Sequence, residues 1–551
     1  MQAPTDSVIY IVNNERQSMA RKQTVFVRDA TGLVRSLSTF DLFNLAFGQI
    51  MPAVGIVFIV SYSPFAFPQS NMWLAFLMVT PLVALGPAMI YSMLGAAMPR
   101  SGGDYVYVSR IIHPALGFMT NWLFTITVFS FISGAGFIFS STAFNVFIAT
   151  IGMMTNNAGL IADSTWFTTS TGELVTGSIL ILGVMLLLVY GRAVWNFMKI
   201  LFVIVMAGTI VNIIYLMTVS QAAFVTAFNT QFAANNLTYN GIIQTAVKNG
   251  YQPGWTWSGT FGALIYAMGG LVGFNFSAYS AGEAKRASKS MPISIVGSTL
   301  IGGLLFALWA FGIYNAFGYD FFSGANYLVN CCSSTVSLPF TASVNALFTY
   351  LPGQNPLVEI LGALAFGLAW IWLTPTDFIP VVRNLFAWAF DRVGPSWLAD
   401  VNDTWHTPVK SIVLSSVLGE ILLILDIYST GYSLVFANTA ILINLAFLVT
   451  SIAGILFPYK AKTIFEQSPG WVKSKIGGVP VVTLVGCFST VVELILLYGG
   501  MTNAVIGGAP ASYPFGVGIT LSGIILYYVA KWYRKRQGID LSLVFKDLPP
   551  E

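Results

Sequence analysis

Charge is what this sequence has least of. Only 8% of its 551 residues are Asp, Glu, Lys or Arg, where a soluble domain carries about 25%. With 56% hydrophobic residues, the deficit excludes a string of water-soluble domains and places the chain in a lipid bilayer. Histidine occurs twice, as His113 and His406, and both fall in predicted connections. No His, Cys or Asp cluster shares one depth, which argues against a membrane enzyme, and no cofactor or metal site is expected. No glycine-rich phosphate loop is present, so ATP-driven transport is not expected either. Of the three cysteines, Cys331 and Cys332 are adjacent in a polar connection and Cys487 lies in an apolar run. A vicinal disulfide is rare and strained, so two separate thiols are expected, and no spacing suggests zinc or a redox pair. The net charge of +4 is too small to argue for nucleic acid. Residues 1–38 are polar and basic, so no secretory signal is expected.

What the chain has is long apolar runs. A hydrocarbon core about 30 Å thick needs roughly 20 apolar residues per helix. Twelve such runs lie near 40–62, 73–97, 115–147, 174–191, 195–219, 258–281, 293–317, 355–380, 409–430, 433–458, 479–499 and 514–533. This predicts an all-α polytopic membrane protein. Alternating the runs puts 23 of the 25 basic residues on the side of the N-terminus, with Lys199 inside the fifth run and Lys248 alone on the other side. The asymmetry predicts a multi-pass cell-membrane protein with both termini cytoplasmic.

Two runs carry breaks. The first reads "FGQIMPAVGIVF", with Pro52 and Gly55 at its middle, and the sixth reads "GALIYAMGGLVGFNFSAYSAG", with Gly269, Gly270 and Gly273. A proline inside a helix removes a donor and clashes with the preceding turn, and lipid offers no replacement partner. If runs one to five and six to ten are repeats of opposite topology, the first and sixth correspond. Interrupted spans at matching positions of two halves point to a substrate site at the midplane. Half-helix N-termini suit a carboxylate, and free carbonyls suit an ammonium, so a zwitterion fits. Irregular backbone is therefore predicted at about 51–55 and 268–273, the two stretches facing each other.

Four stretches then carry a resemblance. "GLVRSLSTFDLFNLAFGQIMPAVGI" (32–56), "MPRSGGDYVYVSRIIHPALGFMTNW" (98–122), "GFNFSAYSAGEAKRASKSMP" (273–292) and "RNLFAWAFDRVGPSWLADVNDTWHTPV" (383–409) resemble, in order, the first-helix, third-helix, sixth-helix and eighth-to-ninth-loop motifs of the amino acid–polyamine–organocation transporters. The resemblance covers roughly residues 32–409. It implies a five-plus-five inverted-repeat, leucine-transporter-like core at 39–458, with repeats at about 39–219 and 258–458. Two peripheral helices would follow at 459–533, between a cytoplasmic N-terminal segment at 1–38 and a tail at 534–551. It also implies that amides of Ala53, Val54 and Gly55 meet the substrate carboxylate. Carbonyls of Gly269, Gly270 and Val272 would meet its amine, with Ile50 and Asn275 completing the site. The family's usual glycine pair in the first helix is here Pro52-Ala53-Val54. The aromatic lid of its sixth helix is here Gly269, which leaves room for a bulky substrate or for another aromatic to close the site.

Intramembrane charges are functional candidates. Lys199 in the fifth run occupies the place where, by the resemblance, a lysine ammonium stands in for a sodium ion; its other reading is a snorkelling residue. Thr376 and Asp377 near the end of the eighth run fall where sodium-coupled relatives use hydroxyls, so Lys199, Thr376 and Asp377 form the expected coupling set. Glu420 and Glu493 are expected to make a structural hydrogen bond or a subunit contact rather than to act in transport. Glu283, Lys285, Arg100, Arg110, Arg383 and Asp391 could latch one face or merely set topology. The expected function is a secondary transporter of amino acids, coupled to protons or working by exchange. Sodium coupling, a polyamine or organic-cation carrier, and a non-transporting nutrient sensor are the alternatives.

Overall fold

The computed structural model describes residues 34–545 apart from 156, 337, 339–341, 343, 345–346, 348–350, 352–355, 430–431, 433–437, 504–509 and 511–512. Most of the predicted N-terminal segment and the last six residues of the tail therefore lie outside the described residues. Twelve helices are long and apolar enough to cross a membrane. They are Thr39–Ala66, Met72–Ala97, Pro114–Gly152, Ser170–Val189, Arg192–Thr218, Trp257–Tyr279, Ala287–Phe317, Ile360–Phe390, Val409–Tyr428, Thr439–Lys460, Val481–Thr502 and Tyr513–Arg536. In chain order they are spans one to twelve. The chain is a polytopic all-α membrane protein. Among the described residues the one sheet is a two-stranded pair, Lys475–Ile476 with Val479–Pro480.

Every predicted run becomes a span, but the eighth runs ten residues past its predicted end at 380, to Phe390. Residues that look like a polar loop continue the helix because their polar atoms have buried partners. Asn384 Nδ2 donates to Thr125 Oγ1 of span three at 2.9 Å, and Trp388 Nε1 donates to Asn121 Oδ1 at 2.7 Å. Span three is the longest. Its Phe139–Phe144 stretch is π-helical, a winding that inserts an extra residue into the helical ladder. Span twelve is the least buried of the twelve. Ser451 and Ser489 join spans ten and eleven at 2.7 Å, and Trp122 of span three donates to Ser522 of span twelve at 2.9 Å.

The connections 98–113, 280–286 and 391–408 meet on one face, which carries most of the basic residues and is called the basic face. Leu37 N donates to Glu283 O there at 3.0 Å, and Gly102 N to Tyr279 O at 3.2 Å. The opposite face is covered by the helices Gln221–Gln231, Tyr239–Lys248 and Tyr319–Cys332, whose Phe224, Phe228, Tyr239 and Phe321 rings pack together with Phe317. At the end of the last of these helices Cys331 and Cys332 are joined as a vicinal disulfide. The expectation of two separate thiols is thus overturned: neighbours in sequence at a helix end bring their sulfurs within bonding reach.

Candidate functional site

Span one begins with a capping box in which Ser38 and Asp41 bond each other reciprocally, satisfying two of the amides every helix start leaves open. The helix runs to Ile50 and stops at Met51, whose backbone is left-handed at φ 39° and ψ 73°. It restarts at Pro52, the first residue of the second half. A proline costs least there, because the donor it lacks would have had no partner anyway. The Met51 carbonyl accepts from Val54 N at 3.1 Å and from Gly55 N at 3.0 Å. Two of the three amides expected for a carboxylate are therefore already engaged. Ala53 N has no backbone partner among the described residues.

Span six breaks more widely. A helix ends at Gly269, residues 270–273 turn, and a 3₁₀ segment runs Phe274–Tyr279. Gly273 has φ 118°, and a Cβ there would lie 2.5 Å from Gln49 Cβ. Only glycine supplies both that dihedral and that approach, so the two breaks touch at Gly273 and Gln49. The carbonyls of Gly270 and Val272 enter no backbone hydrogen bond among the described residues.

A cavity of about 170 Å³ opens between the breaks. Of the predicted substrate residues, Ile50, Val54, Gly55, Gly269, Gly270 and Val272 line it. Ala53 and Asn275 do not: the Ala53 side chain is buried, and Asn275 donates to Tyr279 Oη at 3.3 Å. Sequence reasoning missed Gln49, Phe131, Gly134, Ala135 and Trp370, which complete the wall together with Met51, Ile59, Ile138 and Leu373. The adjoining small residues Gly134 and Ala135 in span three were the readable signal, since small residues let a helix approach closely or leave space. Trp370 Nε1 is buried without a partner. A Cβ on Gly269 would meet nothing within 4 Å, so the missing lid does leave room.

Beside the cavity, Thr376 Oγ1 donates to Gln49 Oε1 at 2.7 Å. The next residue, Asp377, is fully buried, and neither carboxylate oxygen has a hydrogen-bond partner within bonding geometry. Thr376 and Asp377 thus stand behind Gln49. Lys199 does not join them. Its Nζ lies 2.6 Å from Asp41 Oδ1, with the lysine side chain 38% exposed. The reason is position: Lys199 lies low in span five and Asp41 lies in the first turn of span one, both toward the basic face. Glu420 accepts from Ser178 of span four at 2.7 Å, as its structural reading requires. Glu493 is buried with both oxygens unpartnered.

The basic face is tied across spans. Arg383 holds Glu283 with two bonds, 2.7 Å from Nε and 3.1 Å from Nη2, and both side chains are nearly buried. Such a fork is the strongest form of ion pair. Arg110 reaches Asp391 at 3.2 Å, and Arg100 lies 5.3 Å over the Phe390 ring.

The sequence agrees with this architecture along nearly its whole length. The profile of a family described as amino acid permease matches residues 37–524.

Proposed function

The chain belongs to the amino acid permease family, and from that premise we propose a secondary active transporter with an inverted-repeat core that works by alternating access. Permeases move small molecules across a membrane and are not enzymes; amino acids are the substrate class. The basic face is cytoplasmic, which puts both termini inside. The substrate zwitterion sits between the two breaks, its carboxylate at the Ala53 amide and its amine at the carbonyls of Gly270 and Val272. Its side chain enters the apolar wall of Phe131, Gly134, Ala135 and Trp370. The observation that supports this best is the contact of the two broken spans, Gly273 against Gln49, around an apolar cavity. A polyamine would want carboxylates in that wall, and the lining holds none.

Coupling is to protons. Asp377 is the coupling carboxylate, and it communicates with the cavity through Thr376 and Gln49. Lys199 pairs with Asp41 and acts with it at the base of span one. The test is uptake into vesicles holding the purified protein. An acid-outside gradient should drive accumulation of large apolar amino acids, and a sodium gradient without a pH difference should not. In thermal melts the same amino acids should raise the melting temperature by mass action. If no amino acid is taken up and none shifts melting, transport of this class is refuted. If sodium alone drives uptake, only the coupling assignment falls.

A further inference from the structure

One buried carboxylate is used neither by the cavity nor by the ion pairs. Asp104 opens the helix Asp104–Ile111 on the basic face and is 0% exposed. Its Oδ1 accepts from Asn121 Nδ2 of span three at 2.7 Å. Its Oδ2 accepts from Tyr279 Oη of span six at 2.9 Å and from Tyr91 Oη of span two at 3.1 Å. Asn121 also accepts from Trp388 of span eight. One side chain therefore ties together the basic-face ends of spans two, three and six, and span eight at one remove. The backbone reinforces the tie through Gly102 N and Tyr279 O.

The same atoms can hold a proton with no bond lost. Tyr91 Oη lies 3.3 Å from Thr450 Oγ1, and Thr450 Oγ1 lies 2.9 Å from the Ala446 carbonyl. With Asp104 protonated, its hydroxyl donates to Tyr91, Tyr91 turns to donate to Thr450, and Thr450 donates to Ala446 O. Asn121 and Tyr279 go on donating to the carboxyl. Every hydrogen in this arrangement has an acceptor, and no buried charge remains.

We propose that Asp104 is a proton-binding site on the basic face, and that a proton bound there locks spans two, three and six together and holds the cytoplasmic path shut. This rests on the transport reading above. Burial pushes the Asp104 carboxyl up to about 6, outweighing the bonds from Asn121, Tyr279 and Tyr91. Opening the path would wet the carboxyl and return it to the ordinary range near 4. The closed form therefore binds the proton more tightly. Its stability is fully gained below pH 4 and is lost as pH rises through 6. A full transit changes the closed-to-open ratio roughly 100-fold. The titratable groups facing Asp104 are Tyr91 and Tyr279, with Tyr105 and Tyr107 on its own helix. Arg110 of that helix is paired with Asp391. Spans three and ten pack on the helix; the first has no charged residue and the second only the exposed Lys460.

Hydrogen exchange of the full chain in lipid nanodiscs tests this without a substrate. Corrected for intrinsic rates, segments 98–111 and 274–284 of the wild type should become better protected as pH falls from 8 to 5, with a midpoint near 6. Asp104→Asn should be protected like the acidic wild type at every pH. Tyr91→Phe removes one of the bonds that favour the ionised carboxyl, so its response should move to higher pH. Protection that does not vary with pH in the wild type, or falls on acidification, overturns the proposal. So does a wild-type pH response in Asp104→Asn. If that variant does not fold, an unchanged midpoint in Tyr91→Phe is decisive against it. Intact uptake with a flat exchange profile sinks the latch alone. The pH-dependent profile in a protein that carries no amino acid sinks the transport reading alone.

Discussion

The two interrupted spans are broken in different ways. Span one bends at a single residue, Met51, and then restarts on a proline suited to a first turn. Its outer half is a continuous helix with Pro64 near its far end, and its start is mostly capped by the Met51 carbonyl. Span six loses four residues to a turn and does not regain α-helical winding before Tyr279. The segment beyond the turn is held from outside, by the Gly102 backbone, by Asp104 and, beyond the span, by the fork of Arg383 on Glu283. The first break is a fixed corner that presents one free amide. The second is an open turn whose basic-face half owes its place to its neighbours. In a carrier that alternates access, the part that moves should be the part with least internal hydrogen bonding.

The comparison is broken most severely by untying span six. Arg383→Ala leaves Glu283 buried without a partner, a loss of about 3–5 kcal/mol. The melting temperature should fall by several degrees, and exchange should rise at 274–284 well before it rises at 39–66. Arg383→Lys keeps the charge and loses the fork, so it should recover only part of the loss. Equal loosening of both spans would show that they move as one body.

A smaller effect separates space from backbone geometry. Gly269→Phe puts a ring where a Cβ meets nothing. Uptake of large apolar amino acids should fall roughly tenfold or more relative to glycine, the scale on which apolar pockets discriminate. Gly269→Ala should be nearly silent. Equal loss for all sizes in both variants would mean that the turn needs glycine and that the cavity does not read side-chain size.

Much of this was visible in the sequence, for definable reasons. Spans follow from hydropathy because lipid tolerates little else. The breaks were visible because Pro52 and the Gly269-Gly270 pair are residues helices avoid. The end of span eight was not, since Arg383 and Asn384 look solvated until their buried partners are known. Nor was the partner of Lys199: Asp41 carried a motif resemblance, and which carboxylate an ammonium meets depends on helix packing. Asp104 was passed over because a charge in a short loop is ordinarily wet. Its burial arises only when spans two, three and six converge on it.

The smallest effect tests the corner itself. Met51 is held in the left-handed region, where a side chain costs roughly 1–2 kcal/mol. Glycine would remove that strain, but it would add unfolded-chain entropy of about 0.5–1 kcal/mol and lose the Met51 side chain, which is buried at 1% exposure and touches the cavity. Loss of that buried side chain costs about 2–5 kcal/mol and outweighs the relieved strain, so Met51→Gly should lower the melting temperature by a few degrees. Met51→Val keeps apolar bulk but puts a β-branched residue at φ 39°, which should also lower the melting temperature. If Met51→Val melts like the wild type, the corner relaxes easily. Span one would then not be a fixed corner, and the contrast with span six would be one of degree.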